Sequence, residues 1–93
     1  MAAPVGIPYK DGALTGMLYT FAAAGDVLPL HDHDTATAHI SVVTRGAFKV
    51  SGPGWSQTAT PGPVLSFDPG QPHEFEATEA DSRVLNIIKG IAP

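Results

Sequence analysis

Ninety-three residues with five basic and nine acidic side chains, a net charge of −4 and no cysteine make one domain near the lower size limit for a self-sufficient core. Without cysteine there are no disulfides, thiolate ligands or cysteine nucleophiles, so packing must hold the fold, with help from a metal or a partner subunit. No Lys/Arg cluster exists to neutralise phosphates, which argues against nucleic acid, and no apolar run suits a signal peptide or a membrane span, so a soluble cytoplasmic protein is expected.

Residues Met1 to Asp11 carry Pro4, Gly6 and Pro8 and fit an extended arm, running to about residue 15, better than a helix. Gly16 to Phe21 is rich in β-formers and predicts a strand. Its Tyr19 is a candidate catalytic proton donor to a bound oxyanion and equally a candidate for a subunit interface. Ala22-Ala23-Ala24 has the propensity for a helical turn, cut short by Gly25 and Pro29. Leu28 to His33 predicts the next strand, with Pro29 near its start, where proline is tolerated.

From His39 to Ser51 the chain reads as a hairpin broken at Arg45-Gly46. If His39 faces inward, Ser41 and Val43 share its face and Ile40 and Val42 lie opposite, so this strand is covered on both sides by a second sheet or subunit. Gly52-Pro53-Gly54 predicts a turn, leaving Trp55 as an exposed hairpin tip or a dimer anchor. Gln57 to Thr60 and Val64 to Phe67 are short strands, followed by the tight-turn sequence Asp68-Pro69-Gly70-Gln71-Pro72. In His73-Glu74-Phe75-Glu76-Ala77 the alternation places His73, Phe75 and Ala77 on one face and the glutamates toward water. Arg83 to Lys89 is a closing strand. About seven short strands punctuated by Gly and Pro, with no amphipathic helix, predict an all-β sandwich or barrel.

All four histidines fall in one short segment or directly after a turn. On a strand, alternate side chains leave on one face, so the imidazoles of His31-Asp32-His33 can close on one metal ion at about 2.0–2.1 Å per nitrogen. His39 keeps that parity, and the Asp68 to Pro72 turn delivers His73. Asp32 and Asp34 have the wrong parity for direct ligation and read as surface or supporting groups. The alternative is that the histidines are half-buried and merely hydrogen-bonded. Against it, four imidazoles are hard to bury together without a shared cation.

The spacing Gly25-x5-His31-x-His33-x5-His39-x6-Gly46 resembles the first motif of the cupin superfamily, and Gly62-x5-Asp68-Pro69-Gly70-x2-His73 resembles the second. The resemblance covers residues 25–46 and 62–77 and implies a single cupin domain over residues 1–93, a small double-stranded β-helix (jelly-roll) barrel. It implies metal ligation by His31, His33, His39 and His73 near one mouth of the barrel. The sequence departs from the usual pattern in four ways. His39 stands where a glutamate is expected, the loop before it is longer, Asp68 replaces a proline and Ala77 replaces an asparagine.

Neutral imidazoles leave the ion its full charge, so an anionic or enolate-like small-molecule substrate is expected. One divalent transition metal per chain is implied, with Fe, Cu and Ni suited to imidazole and Zn and Mn as alternatives. The implied activity is that of a dioxygenase or related oxidoreductase on a small organic molecule. A redox-neutral isomerase, cyclase or lyase and a non-catalytic metal- or ligand-binding module are the alternatives. Ser41, Val43, Phe48, Phe67, Phe75, Leu85 and Ile87 are candidates to line the cavity, or simply core. A homodimer is expected, with the Met17 to Phe21 strand and its Pro-rich arm as a candidate for exchange between subunits.

Overall fold

The computed structural model describes residues 2–12, 14–31, 36–68 and 71–90, and of residues 30, 31, 36–38 and 90 the backbone alone. Among the described residues there are nine strands and no helix. They are β1 (Val5–Asp11), β2 (Leu14–Phe21), β3 (Val27–His31), β4 (Ala36–Arg45), β5 (Phe48–Gly52), β6 (Trp55–Ala59), β7 (Val64–Phe67), β8 (His73–Ala77) and β9 (Ser82–Gly90). A five-stranded sheet in the order β1-β2-β9-β4-β7 faces a four-stranded sheet in the order β3-β8-β5-β6, all pairs antiparallel. This is the two-sheet jelly roll that the motifs imply.

The core lies between the sheets because each strand alternates. Phe48 and Val50 are buried on either side of exposed Lys49, and His73, Phe75 and Ala77 are buried while Glu74 and Glu76 are half-exposed. Phe21 and Phe48 join the sheets edge-to-face at 4.8 Å and 77°, and Phe48 meets Phe75 at 5.8 Å and 79°. Such pairs add about 0.5–1.5 kcal/mol each to the burial of their rings.

The hairpin expected from His39 to Ser51 is not one. β4 belongs to the five-stranded sheet and β5 to the four-stranded one, so the chain changes sheets at Gly46. The reason is local. Gly46 has φ +77°, and a Cβ there would run into the Ser82 side chain. Ser82 Oγ accepts from Ala47 N–H at 3.2 Å and donates to the Glu79 carbonyl at 2.8 Å, which pins the corner. Consecutive strands pair as hairpins at β1–β2 and β5–β6, the latter through Pro53–Gly54 with Gly54 at φ +79°.

The N-terminal arm is extended, as its prolines require, and forms a strand paired with β2 of its own chain along all seven residues. Ala22-Ala23-Ala24 forms a bend in place of a helical turn. Buried Asp26 holds it, accepting Ala23 N–H at 3.1 Å and Ala2 N–H at 3.2 Å. Trp55 is neither a free tip nor wholly exposed. It is half-buried, folded over Gly52 and the Pro72 carbonyl, where no Cβ would fit, and its ring lies 6.4 Å from Phe67.

Candidate functional site

The two histidines described to their side chains meet at the interior. On β4, His39, Ser41 and Val43 face inward at 3%, 0% and 1% exposure, while Ile40 and Val42 lie opposite, as the alternation predicts. β8 opens with His73, 1% exposed, directly after the turn that Gln71 N–H closes by donating to the Asp68 carbonyl at 3.0 Å. The His39 and His73 rings lie 4.8 Å apart at 48°. Phe67 braces both, stacked on His73 at 4.1 Å and 19° and tilted against His39 at 4.9 Å.

Their protons are placed by the neighbours. His73 Nδ1 lies 2.9 Å from the Gln71 carbonyl, which can only accept, so Nδ1 carries the proton and Nε2 the lone pair. Ser41 donates its one hydroxyl proton to Asn86 Oδ1 at 2.5 Å, so toward His39 Nε2, 3.4 Å away, its oxygen can only accept. Both rings are buried, and imidazole nitrogens are donors that a borderline transition metal takes. The residues present thus fit a metal ion.

The rest of the expected set comes from β3. Its last residue, His31, has its backbone in register with His73 across the sheet, after a register shift that follows Leu28. The His31 side chain, and His33, Asp32, Asp34, Pro69 and Gly70 altogether, lie outside the described residues. Among the described residues no group of three or more His, Cys, Asp or Glu side chains could share a metal, so the pair His39–His73 is the part of the site on view.

Other expected residues are distributed differently. Ser41, Val43, Phe48, Phe67 and Phe75 are buried inside, but Leu85 and Ile87 face outward. On β9 it is Ser82, Val84 and Asn86 that point in, and Leu85 and Ile87 instead line a shallow apolar groove with Tyr9, Leu14 and Gly16. Tyr19 is half-buried against the core, and desolvation raises its pKa above the ordinary phenol value. Register puts Tyr19 in the row of Val84 and Val43, and Val43 lies four residues along β4 from His39. At about 3.3 Å per residue that is a rise of about 13 Å, so the fold does not bring Tyr19 to the histidine pair. Asn86 is the residue the sequence reading passed over. An asparagine inside the run Val84-Leu85-Asn86-Ile87-Ile88, at a strand centre where asparagine is disfavoured, is the signal that marks it.

Residues 16–89 match the AraC-like ligand binding domain family. The chain belongs to that family. No curated protein matches it. Among solved structures, this AraC-like ligand-binding domain is similar to an RmlC-like cupin protein from Desulfovibrio desulfuricans, at 28% identity and TM-score 0.83 over 94% of this chain and 82% of that one. It is also similar to KdgF from Halomonas sp., at 25% identity and TM-score 0.79 over 90% and 76% of the respective chains. The cupin domain of an XRE-family transcriptional regulator from Enterobacter cloacae superposes with TM-score 0.81 over 96% and 98% at 17% identity, a likeness of fold alone. The jelly roll of this AraC-like domain is thus a cupin barrel.

Proposed function

We propose that this AraC-like ligand-binding domain is a metal-dependent cupin that takes a small anionic organic molecule into its barrel, with dioxygenase or related oxidoreductase activity. The observation that carries the proposal is the buried His39–His73 pair, two imidazoles from facing sheets whose rings lie 4.8 Å apart in the barrel interior. His31 and His33 complete the expected ligand set. A bound Fe, Cu or Ni ion would supply Lewis acidity and a redox couple. The chain supplies the surroundings. Phe67 stacks on His73, and with Phe75 and Phe48 it makes the interior beside the pair apolar. His39 contributes a neutral ring where the cupin motif has a glutamate, so the site keeps more positive charge and favours an enolate-like or carboxylate ligand.

The family match favours a second reading, in which the domain binds such a ligand without turning it over. Metal counted per chain by plasma mass spectrometry on tag-free protein, with a His39→Ala, His73→Ala double variant as control, comes first. Oxygen uptake with diketones, phenols and thiols follows. About one Fe, Cu or Ni per chain, lost in the double variant, together with oxygen uptake on one substrate class, is expected. Metal with ligand-induced thermal shifts but no uptake would favour the binding module. No metal, even after reconstitution, would remove the metal reading.

A further inference from the structure

We infer that Asn86 is a ligand-binding residue of the barrel, whose amide hydrogens take a neutral oxygen, a ketone or hydroxyl, at the far end of the bound molecule. The inference rests on the proposed binding of a small anionic molecule at the histidine pair, and it adds the chemistry of that molecule's other end. In register across β4 and β9, Ser41 and Asn86 form the row between His39 and the apolar pair Val43–Val84. All five side chains are buried. Met17 on β2 and Leu65 on β7 continue the row to either side.

Ser41 holds the amide by one end. Asn86 Oδ1 accepts the Ser41 hydroxyl proton at 2.5 Å, which leaves the two hydrogens of Nδ2 as the donors at the other end. Among the described residues no acceptor takes those hydrogens. Asn86 keeps 3% exposure where Ser41 has none, so an atom the size of a water oxygen reaches it. A buried donor of this kind is costly to leave unpaired, and an acceptor carried in by a ligand satisfies it.

Position and charge define that acceptor. Ser41 lies two residues along β4 from His39, a rise of about 6–7 Å, so a ligand held by its anionic group at the histidine pair brings an oxygen about four to six carbons away to Asn86. All five basic residues, Lys10, Arg45, Lys49, Arg83 and Lys89, are exposed, so no lysine or arginine stands at that depth to meet a second carboxylate. An amide donor in an apolar wall therefore selects a neutral oxygen over a charged one. The ligand class is a short-chain oxo or hydroxy acid.

The test is calorimetry on nickel-loaded and on metal-free protein with two length-matched pairs of acids, 4-oxopentanoate against pentanoate and 5-oxohexanoate against hexanoate. At least one oxo acid should bind about 3–10-fold more tightly than its partner, the gain of one net hydrogen bond. Glutarate, with a carboxylate in place of the ketone, should bind more weakly than 4-oxopentanoate. In ¹⁵N-labelled protein the Asn86 side-chain amide signals, assigned from Asn86→Asp, should shift with the oxo acid and not with its partner. Asn86→Leu should abolish the preference and leave the affinity for the plain acid in place. Asn86→Asp keeps an acceptor for Ser41 but loses the donors, so it abolishes the preference too and serves if Asn86→Leu does not fold.

No preference in either pair, a preference that survives in a folded variant, or amide signals indifferent to the oxo acid overturns the inference, and the Ser41–Asn86 contact is then structural only. Glutarate bound more tightly than 4-oxopentanoate overturns the neutral end. Nickel binding is a separate readout. Its absence, with the preference intact in metal-free protein, would overturn the metal reading while leaving Asn86 as a ligand residue.

Discussion

Gly46 and Tyr19 show how single residues carry consequences that can be measured. Gly46 has φ +77° and abuts Ser82, so an alanine there meets both an unfavourable backbone region and a side chain fixed by its own hydrogen bonds. Gly46→Ala should therefore cost on the order of 3 kcal/mol, seen as a lower urea midpoint at unchanged slope. Burial raises the Tyr19 pKa, so the folded state prefers the neutral phenol. Its contribution is complete below the ordinary value near 10 and is lost as pH rises through the folded-state value. Melting temperature should accordingly fall above about pH 10, and Tyr19→Phe should flatten that alkaline limb relative to wild type. An unchanged limb would mean that the phenol titrates alike in both states.

At the scale of elements, the bend between β2 and β3 joins distant parts of the chain through one carboxylate. Asp26 accepts from Ala23 N–H within the bend and from Ala2 N–H twenty-four residues away, and Val27 N–H donates to the Ala2 carbonyl at 3.2 Å. The strap thus anchors the chain just ahead of β1 to the start of β3, the strand that ends at His31. Asp26→Ala leaves those donors without their acceptor and should destabilise the protein by about 1–3 kcal/mol, with faster amide exchange at Ala23. Asp26→Asn, which keeps one acceptor oxygen, should fall between. Uniform exchange across the variants would show that the strap carries no local stability.

For the molecule as a whole, the outer face of the five-stranded sheet is the feature that calls for a partner. Register lines up Ile7, Leu18, Leu85, Val42 and Val64 in one row across all five strands. Val5, Ile7 and Tyr9 at the β1 edge are 70%, 60% and 65% exposed. Five strands at about 4.8 Å and some eight residues at about 3.3 Å make a face of roughly 24 by 26 Å, the same order as the ~800 Å² each partner buries in a standard interface. A second copy of the chain presents the same uncharged row, which is what a two-fold interface needs. The protein should sediment as a dimer at micromolar concentration, and Leu85→Glu should shift it to monomer. A wild-type monomer would remove the dimer. Pro8 in β1 lacks the amide donor that edge-to-edge pairing uses, so face-to-face pairing is the expected mode.

Period-two alternation and Gly/Pro punctuation are local, and they were enough to give the all-β class, the inward parity of His39, Ser41 and Val43, and the His73-Phe75-Ala77 face. The His31 and His73 spacings were likewise enough to place both motifs on one jelly roll. What the local pattern lacks is information on which sheet a strand joins. Arg45-Gly46 looks like a hairpin turn from either side, and only Ser82, thirty-six residues on from Gly46, turns it into a corner between sheets. β9 is apolar at both parities, so its sequence left open that Leu85 and Ile87 face out and Asn86 in. That choice comes from pairing with β2 and β4 at once, and it sets Asn86 opposite Ser41. The sequence by itself determined which residues have the chemistry to hold a metal. The tertiary structure decided that His39 and His73 meet, because they lie on strands of different sheets that the chain brings together only on folding.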